Sequence, residues 1–200
     1  MKKIYLIRHG ETDWNAQKRF QGHLDIPLNE KGIRQAQELI PVCQTLQIQA
    51  VLSSDLTRAS QTGRIIAQGL GIPLFEDPHL REAHLGQMQG LTAEEIALAV
   101  GQPLVDRWKS PLECDADVCY PEGETGRAVL TRAFAAMERF LHSHSFESIA
   151  VTSHGGVVRR ILQKLHSTQE TLLKIHNASI HPILYDGQQK QFLVQGPVSS

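Results

Sequence analysis

Long apolar stretches, a large net charge and closely spaced cysteines are all missing from this sequence of 200 residues. No run approaches the roughly 18 consecutive apolar residues of a membrane-spanning helix. Arg8 also ends the first apolar run too early for a signal peptide. The formal net charge of −1 gives no global field that would recruit nucleic acid or an anionic membrane. We therefore expect neither of these partners.

Cysteine is scarce as well. The three residues, Cys43, Cys114 and Cys119, are odd in number and lack CxxC spacing. Structural disulfides are therefore not expected, and reduced thiols in a cytoplasmic protein are. Hydrophobic residues make up 41% of the chain, which is normal for a globular protein with a real core. At this length we expect a single domain over residues 1–200.

What is present is an alternation of strand-like and helix-like periodicity. Short strands are predicted at residues 4–7, 50–52, 73–75, 149–152, 180–185 and 192–194, the last two as a hairpin. Helices are predicted after Asn29, after Ser54 or Asp55, and at residues 124–142 and 157–165. Strands separated by helices favour an α/β fold, with a mostly parallel sheet that helices cover on both faces.

Residues 91–122 differ from this alternation. Residues 93–100 predict a short helix, and Pro103, Pro111 and Pro121 then interrupt a segment of weak periodicity. The stretch is too short for an independent domain. We expect it to form a small cap inserted over the functional site.

Two histidines follow strand-like runs that are far apart in the chain. His9 follows the run at residues 4–7, and His154 follows the run at residues 149–152. Folds of this class bind ligands at the carboxyl ends of parallel strands, so both imidazoles are expected at one edge of the sheet. A neutral imidazole can attack phosphorus if a backbone carbonyl takes the proton of its other nitrogen. The alternative for His9 alone is a core histidine at a strand end.

Basic and glycine residues beside these histidines suit a phosphate ligand. Arg8 directly precedes the first histidine, and Arg58 is expected just inside the helix after the second strand. A guanidinium offers paired donors that match phosphate oxygens. Gly10 would let the backbone approach a ligand closely. His154 and the amide of Gly155, at a helix start, could each donate to a phosphoryl oxygen.

Phosphoryl transfer also needs a proton donor for the leaving group. Glu82 is the candidate, because a partly buried carboxyl can be kept protonated, and it could activate water in a second step. Spacing alone leaves five rivals open: Glu76, Asp77, Glu94, Glu95 and Glu124. Neutral donors to the phosphate are expected from three residues of the loop after the first histidine: Asn15, Gln21 and Gly22.

Together these residues resemble the histidine phosphatase superfamily, in its phosphoglycerate mutase-like branch. The most specific part is Leu-Ile-Arg-His-Gly-Glu-Thr at residues 6–12, and further matching segments follow almost to the end of the chain. The resemblance implies that His9 accepts the phosphoryl group and that Glu82, rather than its rivals, handles protons. It implies that three residues hold the phosphoryl group: Arg8, Arg58 and His154. It also implies that neither a metal nor a nucleotide is needed, so we expect no cofactor.

Departures from the mutase pattern bear on the substrate. Mutases usually place an arginine after the acid and an aromatic residue two positions later, where this chain has Ala83 and Leu85. They also carry paired arginines in the cap that hold a glycerate carboxylate, whereas here Trp108 separates Arg107 from Lys109. We therefore expect a metal-independent phosphatase acting on a small-molecule phosphomonoester. The alternative is a cofactor-dependent phosphoglycerate mutase.

Two further functions compete with these. His142 and His144 are the closest histidine pair and could indicate a metal hydrolase, but no carboxylate cluster accompanies them, and a helix end is the simpler interpretation. A catalytically inactive phosphate-binding module is disfavoured, because such a relative is expected to lack at least one member of the catalytic set.

Overall fold

A six-stranded sheet forms the centre of the computed structural model, which describes residues 1–110, 112–166 and 173–194. Within these residues the strands are β1 (Lys2–Arg8), β2 (Ala50–Ser53), β3 (Leu74–Glu76), β4 (Ser148–Ser153), β5 (Ile180–Asp186) and β6 (Gln191–Val194). Their spatial order is β3-β2-β4-β1-β5-β6. The first four in this order are parallel, and β5 and β6 are antiparallel to their neighbours. The predicted hairpin and the mostly parallel sheet are confirmed.

Helices alternate with these strands. The described ranges contain seven α-helices: α1 (Asp13–Ala16), α2 (Glu30–Thr45), α3 (Thr57–Leu70), α4 (Ala93–Val100), α5 (Gln102–Lys109), α6 (Gly126–Ser143) and α7 (Gly155–Leu165). None of these helices combines the length and apolar character needed to cross a membrane. Helix α5 lies where only weak periodicity was expected. Pro103 sits in its first turn, where the missing N–H of proline costs no helical hydrogen bond; Pro111 lies outside the described residues.

The two faces of the sheet carry separate buried clusters. Ile4 and Leu6 of β1 pack in one cluster with residues of α6 and α7, whereas Tyr5 and Ile7 pack in the other with residues of α2 and α3. This division follows from the strand itself, because successive side chains point to opposite faces. Helices therefore cover both faces, as predicted.

The start of α3 corrects the sequence prediction. Neither Ser54 nor Asp55 caps this helix, which follows Leu56 with no side-chain cap of its own. Asp25, from a loop 32 residues earlier, instead accepts hydrogen bonds from the amide and the hydroxyl of Thr57 at 2.7 and 2.6 Å. The orphan donors at this helix end are thus satisfied from a distance in sequence.

The start of α6 also differs from the prediction. Thr125 is the N-cap, and its side chain accepts a hydrogen bond from the amide of Ala128 at 3.1 Å. Glu124 therefore lies outside the helix. Its carboxylate accepts two hydrogen bonds from the guanidinium of Arg132, at 2.7 and 2.8 Å. The last helix, α7, begins at Gly155 rather than at residue 157.

The carboxyl ends of β1, β2 and β4 lie side by side at one edge of the sheet. Arg8 is in register with Ser153, and Ser53 is in register with Thr152. Each strand is followed immediately by a polar residue, so the register brings three of them together: His9, Ser54 and His154.

Candidate active site

A cavity of about 510 Å³ opens at this edge of the sheet. Eight of the nine residues predicted for the site line it: Arg8, His9, Asn15, Gln21, Gly22, Arg58, Glu82 and Gly155. The ninth, His154, is completely buried and is not part of the cavity wall. The topology thus brings the predicted set together, with one histidine behind the other.

His9 is held in one tautomer by its own backbone. Its Nδ1 lies 2.6 Å from the carbonyl oxygen of Gly10, so Nδ1 carries the proton and donates it there. No hydrogen bond from the described residues reaches Nε2, which is left with its lone pair. Burial, followed by the charges of Arg58 and Arg8, lowers the pKa of His9 well below its usual value. The imidazole is therefore neutral at neutral pH.

His154 lies behind His9 and is also neutral. The two ring centroids are 5.3 Å apart. The Nε2 atom of His154 lies 2.9 Å from the Ser54 hydroxyl oxygen, while its buried Nδ1 has no hydrogen-bond partner among the described residues. Burial is the main cause that lowers the pKa of His154 well below its usual value, with Arg58 next.

The two guanidinium groups of the site are oriented by backbone carbonyls. Arg58 donates to the carbonyls of Leu24 and Gly22, at 2.9 and 2.7 Å. Arg8 donates to the carbonyl of Ile175 at 2.6 Å. The Nε atoms of both arginines are buried without a hydrogen-bond partner in the described part of the chain. Burial lowers the pKa of Arg58 to about 10 and lowers that of Arg8 as well, so both sites gain from an anionic ligand.

Glu82 is held on both sides of its carboxylate. Oε1 accepts a hydrogen bond from the Ala83 amide and Oε2 accepts one from the Gly156 amide, each at 2.9 Å. The backbone carbonyl of Glu82 lies 2.6 Å from Nε2 of His23 and accepts a hydrogen bond from Arg132 at 2.9 Å. Among the described residues that line the cavity, Glu82 is the one carboxylate, and none of its five rivals is present there.

Close packing explains why two residues near the site, Gly10 and Gly156, are glycines. A Cβ on Gly10 would lie 2.4 Å from the carbonyl oxygen of Gly32, so this glycine permits packing of a loop on α2. This packing accounts for the glycine without a ligand, and the close approach of a ligand stays a prediction. A Cβ on Gly156 would lie 2.4 Å from Oε1 of Glu82, so the carboxylate itself requires a glycine there.

Several cavity residues were not predicted from the sequence. The basic ones are Lys18, Arg19, Arg159 and Lys174, and Phe20 and Leu85 add apolar surface. Arg159 lies one helical turn beyond Gly155 on α7, a spacing that the sequence displays. Lys174 carries no comparable signal, because its loop reaches the cavity only through the tertiary fold.

Of the described residues in the segment 91–122, Trp108 is the one that lines the cavity. Its ring stacks on Tyr120 with centroids 4.9 Å apart, and the guanidinium of Arg160 lies 4.6 Å from its centre. Arg107, by contrast, pairs with Asp115 at 2.9 Å and does not line the cavity.

The histidine pair that could have indicated a metal site has other contacts. Nε2 of His142 lies 2.9 Å from the Tyr185 hydroxyl, and Nδ1 of His144 lies 3.0 Å from the Phe140 carbonyl oxygen at the end of α6. Across the described ranges, no group of three or more His, Cys, Asp or Glu side chains could hold a metal ion.

The chain is similar to known proteins over nearly its whole length. The model of the histidine phosphatase superfamily (branch 1) matches residues 4–196. The chain is 37% identical over 200 residues to phosphoglycerate mutase-like protein 4 of Arabidopsis thaliana, covering 98% of this chain and 86% of that protein. Among solved structures, Bacillus stearothermophilus YhfR is 32% identical with a TM-score of 0.84, covering 100% and 98% of the two chains. A mycobacterial glucosyl-3-phosphoglycerate phosphatase is 26% identical with a TM-score of 0.85, covering 100% and 99%.

Proposed function

We propose, on the premise that this chain belongs to the histidine phosphatase superfamily, that it hydrolyses small-molecule phosphomonoesters through a phosphohistidine at His9. The match of the family model to residues 4–196 confirms the family and the enzyme class that the sequence predicts. The substrate class, the independence of metals and the roles of single residues are our proposal.

One observation carries it: a neutral imidazole with a free Nε2 lines the same cavity as two guanidinium groups whose Nε atoms have no hydrogen-bond partner among the described residues. The Gly10 carbonyl binds the proton on Nδ1 of His9, so Nε2 is the nucleophile. Arg8 and Arg58 line the same cavity, and each retains a buried Nε without a partner among the described residues. Phosphoryl transfer depends on positioning and on stabilising charge on the phosphoryl oxygens, which these donors supply.

In the first step, Nε2 of His9 attacks phosphorus and the bond from phosphorus to the ester oxygen breaks. Glu82, as the carboxylic acid, gives its proton to that oxygen, and the alcohol leaves. The imidazole now carries the phosphoryl group on Nε2 and keeps its proton on Nδ1. Arg8, Arg58 and the Gly155 amide bind the phosphoryl oxygens, with Asn15, Gln21 and Gly22 as further contacts.

In the second step, the Glu82 carboxylate takes a proton from water, whose oxygen attacks phosphorus. The bond to His9 breaks, inorganic phosphate leaves, and Glu82 is protonated again for the next cycle. We propose that His154 donates a hydrogen bond from its Nδ1 to a phosphoryl oxygen. This Nδ1 has no partner among the described residues, while Nε2 contacts the Ser54 hydroxyl. In this scheme the positive charge that a metal could supply comes from the two arginines.

The contacts of Arg107 favour a phosphatase over a phosphoglycerate mutase. A mutase must keep its phosphoenzyme away from water and rebind the product, and its usual carboxylate contact is in the cap. Here the one arginine of residues 91–122, Arg107, pairs with Asp115 instead.

We further propose that residues 91–122 form a cap within a single domain, and that the protein is cytoplasmic, consistent with its three free cysteines.

The test is substitution of the proposed nucleophile. His9→Ala should lower turnover of an activated aryl phosphate by about 10⁴-fold or more, because the covalent route is lost. Wild-type enzyme quenched during turnover of ³²P-labelled ester should carry an acid-labile phosphohistidine that the variant lacks. His142→Ala is the matched histidine control and should keep the wild-type rate. Wild-type turnover by His9→Ala would overturn the proposal, and loss of wild-type activity with a chelator would overturn metal independence.

A parallel assay separates the two reactions of the family. We expect release of phosphate from 3-phosphoglycerate to be faster than its isomerisation to 2-phosphoglycerate, even with the bisphosphorylated cofactor present. Faster isomerisation would make the mutase the function of this chain.

A further inference from the structure

The basic side chains that line the cavity exceed what one phosphate group requires. Among the described residues that line the cavity, Glu82 is the single carboxylate. Six lining residues are basic: Arg8, Lys18, Arg19, Arg58, Arg159 and Lys174. A phosphate monoester carries a charge of about −2 near neutral pH, which Arg8 and Arg58 can balance. The positive charge that remains indicates a ligand with more than one anionic group.

Arg159 is the most informative of the remaining four. It is half-buried in the cavity wall on α7, one turn beyond the glycines that follow His154. It makes no hydrogen bond and no ion pair with the described residues. Burial is the main cause that lowers its pKa, and the charge of Glu82 only partly offsets it. A guanidinium that is only partly exposed to water and has no partner among the described residues gains from an anion bound beside it.

Neighbouring arginines have partners, whereas Arg159 has none in the part of the chain that the structure describes. Arg160 lies over the ring of Trp108, and Arg19 donates to the Gly90 carbonyl at 2.7 Å and pairs with Glu95 at 3.4 Å. Lys174 is exposed at the mouth of the cavity. The unpaired and partly enclosed guanidinium of the cavity is therefore that of Arg159.

We infer that Arg159 binds a second anionic group of the substrate, a carboxylate or a second phosphate, with Lys174 contributing from the mouth of the cavity. The inference rests on the proposed function, because it takes the phosphoryl group to lie at Arg8 and Arg58. A guanidinium fork matches the planar oxygens of a carboxylate and the oxygens of a phosphate. The second anionic group would thus be bound by a residue of helix α7, whereas in the mutase pattern it is bound by arginines of the cap.

The experiment compares esters that differ in one anionic group. We expect wild-type kcat/KM to be higher for 3-phosphoglycerate than for glycerol 3-phosphate, or higher for 1,3-propanediol bisphosphate than for 3-hydroxypropyl phosphate. The pair with the larger preference identifies the anion as carboxylate or phosphate. Arg159→Gln should lower that preference by about 10- to 100-fold, the range for a lost charge-assisted hydrogen-bond pair. Arg159→Lys, which retains the charge but not the planar fork, should keep part of it.

Arg107→Gln is the matched control, because it removes a guanidinium that pairs outside the cavity, and its preference should equal that of wild type. Two results would overturn the inference: no wild-type preference for either charged ester, or an Arg159→Gln variant that loses activity equally on both members of a pair. Either result leaves the proposed function standing if aryl phosphate is still cleaved through His9. Failure of the proposed function shows separately, as wild-type enzyme that forms no phosphohistidine.

Discussion

The inner end of the cavity and its rim are held in opposite ways. At the inner end, which comprises Arg8, His9, Arg58, Glu82 and His154, side chains are fixed by main-chain amides and carbonyls or by a buried serine. At the rim, which comprises Lys18, Arg19, Arg159 and Lys174, only Arg19 has a hydrogen bond or ion pair among the described residues.

The difference separates chemistry from recognition. Main-chain contacts cannot rearrange without moving the fold, so the inner end is preorganised for one task, the stabilisation of charge on a phosphoryl group. Exposed lysines and an unpaired arginine can adapt to different ligands at little cost. Changes at the inner end should therefore lower kcat for every ester, and changes at the rim should alter which ester is preferred.

The largest effect that tests this comparison is expected from Gly156→Ala. The added Cβ would lie 2.4 Å from Oε1 of Glu82, so the carboxylate must leave its place beside the amide of residue 156. General acid catalysis is typically worth about 10²- to 10⁴-fold. We expect kcat for an alkyl phosphate to fall by about 100-fold, and by much less for an aryl phosphate whose leaving group needs no proton. Steady-state kinetics on both esters measures this.

Two further variants complete that experiment. Glu82→Gln should show the same dependence on the leaving group, since both changes remove the positioned acid. Gly187→Ala is the control, because its Cβ would come no closer than 3.8 Å to another residue, and it should behave as wild type. An alkyl phosphate rate within twofold of wild type for Gly156→Ala would show that Glu82 is not held where the chemistry needs it.

A smaller effect is expected from His23, which connects two parts of the inner end. Its Nε2 lies 2.6 Å from the Glu82 carbonyl oxygen, and the carbonyls of its neighbours Gly22 and Leu24 orient Arg58. We expect His23→Leu to lower kcat/KM by about 10-fold, because misplacement of about 1 Å is costly in a preorganised site.

The profile of that loss identifies what His23 positions. A greater loss on alkyl than on aryl phosphates would indicate Glu82, and an equal loss would indicate the loop that orients Arg58. His23→Gln retains a donor near the position of Nε2 and should recover part of the rate. If His23→Leu matches wild type on both esters, the link between the two parts has no catalytic role.

The sequence predicted the inner end better than the rim, and the reason is physical. His9 and His154 each follow an apolar run, and parallel pairing of β1 with β4 necessarily brings the ends of those runs together. The rim has no such local signal: Lys174 reaches the cavity through a loop, and only Arg159 could be placed, from its spacing on a helix.

Errors at helix starts have the same origin. Ser54 and Asp55 are good capping residues by type, yet Asp25 supplies the contact to Thr57 from another loop. Glu124 belongs by composition to the following helix, but its carboxylate binds Arg132, which also donates to the carbonyl of Glu82. Local propensity predicts neither the contact of Asp25 nor that of Glu124, because both depend on partners brought by the tertiary fold, although the N-cap of α6 itself is the adjacent Thr125.

The smallest effect concerns acid stability, and it too should distinguish the inner end from the rim. His9 and His154 are buried, and burial lowers the pKa of both well below the usual value. In the unfolded chain each titrates near its ordinary pKa of about 6.5. Below that pH the unfolded chain binds more protons than the folded one, so the free energy of unfolding falls as the pH falls. Each such histidine contributes a slope of up to about 1.4 kcal/mol per pH unit.

His154→Gln removes one of these groups and should make the slope between pH 6 and pH 5 shallower by up to about 1.4 kcal/mol per pH unit. Urea unfolding at a series of pH values measures it, and the slope is informative even if the variant is less stable at every pH. Lys174→Ala, at the rim, should leave the slope unchanged. A slope for His154→Gln equal to that of wild type would mean that this imidazole gains a proton as readily in the folded protein as in the unfolded chain. The inner end of the cavity would then be more accessible to water than its burial indicates.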